Sequence, residues 1–126
     1  MTESKPTVFV LDDDQAVQDS LVALFIGMDL PAEFYLTVED FFENYDPSRP
    51  GCLLLDVWLP GGGLNVLKKL TESQSILKVI VVTGHGDSET KKTALELGAH
   101  AFFEKPCDSN ELCKCIRQAM EPMTKV

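Results

Sequence analysis

No apolar run in this 126-residue chain approaches the roughly 20 residues that a membrane-spanning helix needs. The opening residues, MTESKP, carry no apolar stretch of the kind found in a secretory leader. Together these absences predict a cytoplasmic protein with no membrane partner. Basic residues are also short: 11 Lys and Arg stand against 20 Asp and Glu, for a net charge of −9. Without a basic stripe to face phosphates, direct nucleic-acid binding by this segment is argued against. The four cysteines follow no metal-binding or redox pattern. Cys113 and Cys115 lie two apart on a predicted helix and point to different faces, while Cys52 and Cys107 have neither CxxC nor His spacing. Reduced, partly buried thiols are expected. Linkers and low-complexity runs are missing too, so residues 1–126 read as a single domain with a core over about 6–121 and no second domain in the chain. The 44% apolar and 25% charged residues are those of a globular chain, which excludes disorder.

What is present is an alternation of two periodicities. TVFVL (7–11), AEFYL (32–36), CLLL (52–55), KVIVVT (78–83, closed by Gly84-His85-Gly86) and 100–103 within AHAFF read as strands. Between them fall amphipathic helical patterns. The first carries Val17, Leu21, Leu24, Phe25 and Met28 on one face behind an Asp14 N-cap. Thr37 caps a helix with Val38, Phe41 and Phe42, and Leu64, Val66, Leu67 and Leu70 mark the third. Asp87 caps a fourth helix that runs to about Leu97, with Gly98 just past its end. Asp108 to Glu111 forms a capping-box-like start for the last, whose inner face is Leu112, Cys115, Ile116, Ala119 and Met120 and which Pro122 stops. Five strands alternating with five helices predict a doubly wound α/β domain with a mostly parallel sheet.

In such folds, side chains that do chemistry gather at the carboxyl ends of the strands. Asp12 and Asp13 follow the first strand, Asp56 the third, Thr83 ends the fourth, and Lys105-Pro106 follows the fifth. Taken singly, each has a plain structural reading as a helix cap or a solvated loop residue. Together, three carboxylates at one rim repel one another, so some must be protonated or a cation must be present. Carboxylates and water suit Mg²⁺, which completes its shell with phosphate oxygens. A lysine and a hydroxyl beside the ion can hold further phosphoryl oxygens, and a carboxylate can itself be the nucleophile.

Four motifs in register, "VLDDD" (10–14), "LLLDVWLPGG" (53–62), "VVTGHGD" (81–87) and "FFEKP" (102–106), resemble the receiver domain of two-component response regulators over residues 6–121. "TGHGD" with "EKP" is similar to receivers that precede a LuxR-type helix-turn-helix or another transcriptional output domain. The resemblance implies a five-stranded parallel sheet of flavodoxin-like order 2-1-3-4-5 with five helices. It implies a switch rather than an enzyme, with only self-phosphorylation and slow self-dephosphorylation. Asp56 would accept the phosphoryl group from a sensor histidine kinase or phosphotransfer protein. Asp13, Asp12 (largely through water), Asp56 and the backbone carbonyl of Trp58 would hold Mg²⁺, with Mn²⁺ able to replace it. Lys105 would pair with the phosphoryl oxygens, and its bond to cis Pro106 is part of the pattern. Thr83 would swing toward the phosphoryl group and Phe102 rotate inward, altering the surface of the fourth helix and fifth strand. A phosphorylation-linked homodimer is implied through the Phe102 face, and no organic cofactor.

Some positions depart from that pattern. The loop Gly61-Gly62-Gly63-Leu64 is one residue short, with the family's glycine expected at Gly63, and Leu59 replaces the commoner Met. Cys107 stands where an aromatic residue often follows Lys-Pro. The resemblance places Trp58 and His85 at positions that in receivers tune phosphoryl lifetime; each has a plain reading as well, Trp58 as a docking aromatic and His85 as a solvated loop residue. His100 is expected to face solvent. A phosphohydrolase would need a second acid two residues after Asp56, where Trp58 stands, and an interaction module without phosphorylation would have lost an acid or the lysine. The anionic turn LDDDQAV and the absence of GxGxxG speak against a flavin or dinucleotide.

Overall fold

The computed structural model describes residues 6–84 and 87–121. Its five strands are β1 (Thr7–Leu11), β2 (Ala32–Tyr35), β3 (Gly51–Leu55), β4 (Lys78–Thr83) and β5 (Ala101–Glu104). Alternating with them are α1 (Gln15–Met28), α2 (Val38–Asn44), α3 (Gly63–Glu72), α4 (Ser88–Glu96) and α5 (Ser109–Met120). The strands form one sheet of order β2-β1-β3-β4-β5, and each pair of neighbours is parallel. The sheet is therefore fully parallel, as its two-sided apolar strands require.

Strand alternation divides the core into two layers. Phe9, Leu11, Leu53, Leu55, Val79 and Val81 face α2, α3 and α4, where Phe41, Val66, Leu67 and Leu70 are buried. Val8, Val10, Cys52, Leu54 and Ile80 face α1 and α5, meeting Phe25, Leu112 and Ile116. Four helices begin as the sequence predicts: the side chains of Asp14, Thr37, Asp87 and Asp108 accept from backbone N–H groups of their first turns.

The differences are local. The fifth strand lies at 101–104 rather than 100–103; the exposed His100 uses its N–H on the carbonyl of Val79 and serves as the entry to the strand. The second strand stops at Tyr35, because Leu36 leaves the sheet before the Thr37 cap. On α1 the expected apolar face is only half-buried except at Phe25. All four cysteines are free thiols, Cys52 buried and the others half-buried. His85 and Pro122 lie outside the described residues.

Candidate functional site

The sheet order brings β1 and β3 side by side, with Leu11 opposite Leu55, so the residues that follow them emerge together. The Asp56 N–H donates to the Leu11 carbonyl at 3.1 Å, which locks that alignment one residue beyond the strands. Carboxylate oxygens of Asp12, Asp13 and Asp56 consequently lie within 4.8 Å of one another. Asp12 and Asp56 are buried and Asp13 is exposed.

Each buried carboxylate is held by the backbone on one oxygen. Asp12 Oδ1 accepts from the Asp14 N–H at 2.9 Å, and Asp56 Oδ1 accepts from the Trp58 N–H at 2.9 Å. Their other oxygens face one ammonium group. Lys105 Nζ lies 2.8 Å from Asp12 Oδ2 and 3.4 Å from Asp56 Oδ2. Burial pushes the Asp12 carboxyl above its ordinary value, more than its bonds to Lys105 and the Asp14 N–H pull it down. Burial alone would lower the Lys105 ammonium, but the two carboxylates outweigh it and raise the group.

The other predicted residues among those described lie on the neighbouring elements. Thr83 is fully buried at the end of β4, and its carbonyl accepts from the Lys105 N–H at 2.8 Å, tying the fourth strand to the lysine's own loop. The peptide bond from Lys105 to Pro106 is cis. Phe102 is half-buried against the α2–α4 layer. The Trp58 side chain is 58% exposed, so its indole stands at the rim while its backbone engages Asp56. A Cβ on Gly63 would lie 2.3 Å from the Val57 Cα and 2.6 Å from the Asp56 carbonyl oxygen. Only glycine lets α3 begin so close to the acidic strand end.

Sequence reading missed Gln18. Although amide-bearing, it is 4% exposed, and its Nε2 donates to the carbonyls of Asp12 at 3.0 Å and Tyr35 at 2.7 Å. The available signal was its place three residues before Leu21 and seven before Phe25, on the inward helical stripe.

An acidic triad with a facing lysine fits a hard divalent cation: oxygen donors, one of them exposed, leave room for water and phosphate oxygens. Comparison with known proteins agrees with that chemistry. The family model for the response regulator receiver domain matches residues 8–117. The chain is 38% identical over 121 residues to the transcriptional regulatory protein FixJ of Azorhizobium caulinodans, which covers 95% of this chain and 57% of that protein. It thus spans just over half the length of the curated relatives it matches. The solved response regulator StyR superposes with a TM-score of 0.86 at 33% identity, over 93% of this chain and 60% of that one. The receiver domain of NtrC4, solved as a beryllofluoride-activated dimer, superposes with a TM-score of 0.83 at 30% identity, over 90% and 95% of the two chains.

Proposed function

The chain belongs to the response regulator receiver domain family, the phosphorylation-dependent switches of two-component signalling, and from that premise we propose that Asp56 is its phosphoacceptor. The observation that carries this reading is the gathering of three carboxylates within 4.8 Å at the strand ends, with Lys105 reaching two of them. Receiver domains bind Mg²⁺ at such an acidic pocket; here Asp12, Asp13, Asp56 and the Trp58 carbonyl are the proposed holders, with Mn²⁺ as a substitute. The bound ion supplies positive charge that offsets the phosphoryl oxygens.

The chain's own residues do the rest. An Asp56 carboxylate oxygen attacks the phosphorus of a partner's phosphohistidine; the new P–O bond forms as the P–N bond breaks, and the imidazole leaves. Lys105 moves from its two carboxylates to the phosphoryl oxygens, and the Thr83 hydroxyl donates to another. The space left near Thr83 admits the Phe102 ring, so one charge event biases a two-state surface over α4 and β5. Receiver domains are switches rather than enzymes in the ordinary sense; self-phosphorylation and slow dephosphorylation are the turnovers proposed here.

A sensor histidine kinase or phosphotransfer protein is the proposed donor. The activated NtrC4 receiver is a dimer, which supports a phosphorylation-linked homodimer through the Phe102 face. FixJ bears a transcriptional regulator's name, which supports transcriptional control through an output domain or partner. A cytoplasmic location is part of the reading, and no helix among the described residues is long and apolar enough to cross a membrane.

Intact-mass spectrometry after incubation with Mg²⁺ and acetyl phosphate tests the proposal. One added phosphoryl group is expected, absent without Mg²⁺ and absent in Asp56→Asn. No adduct, together with no change in Trp58 fluorescence on adding beryllofluoride, would sink it in favour of an interaction module that is never phosphorylated.

A further inference from the structure

A cleft of about 750 Å³ opens beside the acidic site and runs between α1 and the start of α5. Val10 and Leu54 form part of its floor, and Leu21 and Leu24 part of its α1 wall. The cleft explains why those two leucines, on the inward face of α1, stay half-buried: the protein does not cover them. The last residue of α1 does meet the first half of α5, with the Cys113 thiol 3.3 Å from the Met28 thioether. Near the site the lining includes the short side chains of Ser20 and Cys107 beside Val17, Val82 and Pro106. The volume falls within the ~300–1,000 Å³ typical of small-molecule sites, which likewise combine apolar walls with a few convergent polar groups.

The mouth sets the charge of what fits. Asp12, Asp56 and Lys105 line it, so two carboxylates face one ammonium, with Asp13 alongside. An incoming anion meets a net negative opening, and a neutral molecule leaves that field unused. We propose that this cleft binds a small organic cation, an aryl or branched alkyl amine. Its ammonium group sits against Asp12 and Asp56 and its apolar body against Leu21 and Leu24, the half-buried leucines of the α1 wall. Bound there, the amine occupies carboxylates proposed above as metal holders and so opposes Mg²⁺ binding and phosphorylation. That consequence rests on the function proposed above; the binding itself does not.

The test is a ¹H–¹⁵N NMR titration in Mg²⁺-free buffer with 2-phenylethylamine, beside 2-phenylethanol and phenylacetate as neutral and anionic counterparts. The amine is expected to give saturable shifts at Leu21, Leu24 and Cys107, with at least tenfold weaker binding of the other two. Cys107→Phe and Ser20→Leu each place a larger side chain in the cleft and should each weaken amine binding at least tenfold. Signals from Phe41 and Leu70, across the sheet, report that both variants are folded. Three outcomes overturn the proposal: no saturable shift with the amine, phenylacetate binding as tightly, or unchanged amine affinity in both filled variants. A separate Mg²⁺ titration keeps the two readings apart. Unmoved amides at Asp12, Asp13 and Asp56 count against the proposed function and leave the amine result standing.

Discussion

Burial makes the fold disfavour the charged form of Asp12. Its folded-state pKa lies above the ordinary 3.8, chiefly through burial. The fold therefore favours the protonated form, and stability falls as pH rises from 3.8 through the folded value. Asp12→Asn should accordingly melt higher than the parent at pH 7 with a chelator present, by about 1 kcal/mol, and the gap should close below the carboxylate range. Thermal melts at several pH values check this; a variant less stable at pH 7 would show that the Lys105 bond outweighs burial. Gln18 acts on the same residue from behind. Replacing it with Met keeps most of the volume but leaves the Asp12 carbonyl without the donor it has at 3.0 Å. A loss of ~1–3 kcal/mol is expected, with weaker Mg²⁺ binding because the turn carrying Asp12 and Asp13 loses one of its ties to β2 and keeps the bond from the Asp12 N–H to the Tyr35 carbonyl. Urea midpoints and Mg²⁺ titration of Trp58 fluorescence give the two numbers separately.

At the scale of elements, the start of α3 is the tightest junction. Gly63→Ala puts a methyl group into the Val57 backbone, which cannot yield like the end of a flexible side chain. It should cost more than ~2 kcal/mol and slow phosphorylation, since the shift falls on the Asp56 carbonyl. Gly62→Ala is a milder change. Its φ of 81° is unfavourable for alanine, but the nearest atom is the movable Asn65 amide nitrogen at 2.9 Å. A cost of about 1 kcal/mol is expected. Melting temperatures and acetyl phosphate uptake of the pair decide whether close approach or backbone conformation governs this loop. If Gly62→Ala proves the worse, the backbone conformation dominates.

Across the whole molecule, a net charge of −9 with three acids at one rim means that cations should stabilise the fold. Mg²⁺ at a hundred times its dissociation constant should add about 2.7 kcal/mol by mass action, and much less in Asp13→Asn. Far from the site, Arg49 makes two bonds to Glu33, at 3.1 and 2.7 Å, and lies 4.7 Å over the Phe9 ring, joining the β2 edge to the β1 core. The Arg49 bonds hold the Glu33 carboxyl below its ordinary 4.5, so that contribution is present above 4.5 and lost as pH falls through the folded value. Both side chains are about a third exposed, so solvent screens the pair. Arg49→Met should cost no more than about 1 kcal/mol at neutral pH and progressively less in acid, as read from urea midpoints.

Much of this protein is local, and the local part was legible in its residues. Apolar runs of period two, helical stripes of period 3.6 and the caps at Asp14, Thr37, Asp87 and Asp108 depend only on near neighbours in the chain. They establish ten elements in alternation and put the acids, Thr83 and Lys105 at strand ends. The single-residue offset at β5 arose because strand pairing, rather than composition, sets where a ladder begins. Tertiary structure alone decided what lies beside what. The bond between Lys105 and Asp12 spans 93 positions of sequence and exists because β1, β3, β4 and β5 are ordered as neighbours. Gln18 is buried because β2 ends beside β1 and offers it a second carbonyl. The cleft under α1 is lined by Ser20 of α1 and Cys107 of the loop before α5, two positions far apart in sequence that only packing brings to the same gap. Periodicity tells a side chain which way to face; only packing determines what it meets there.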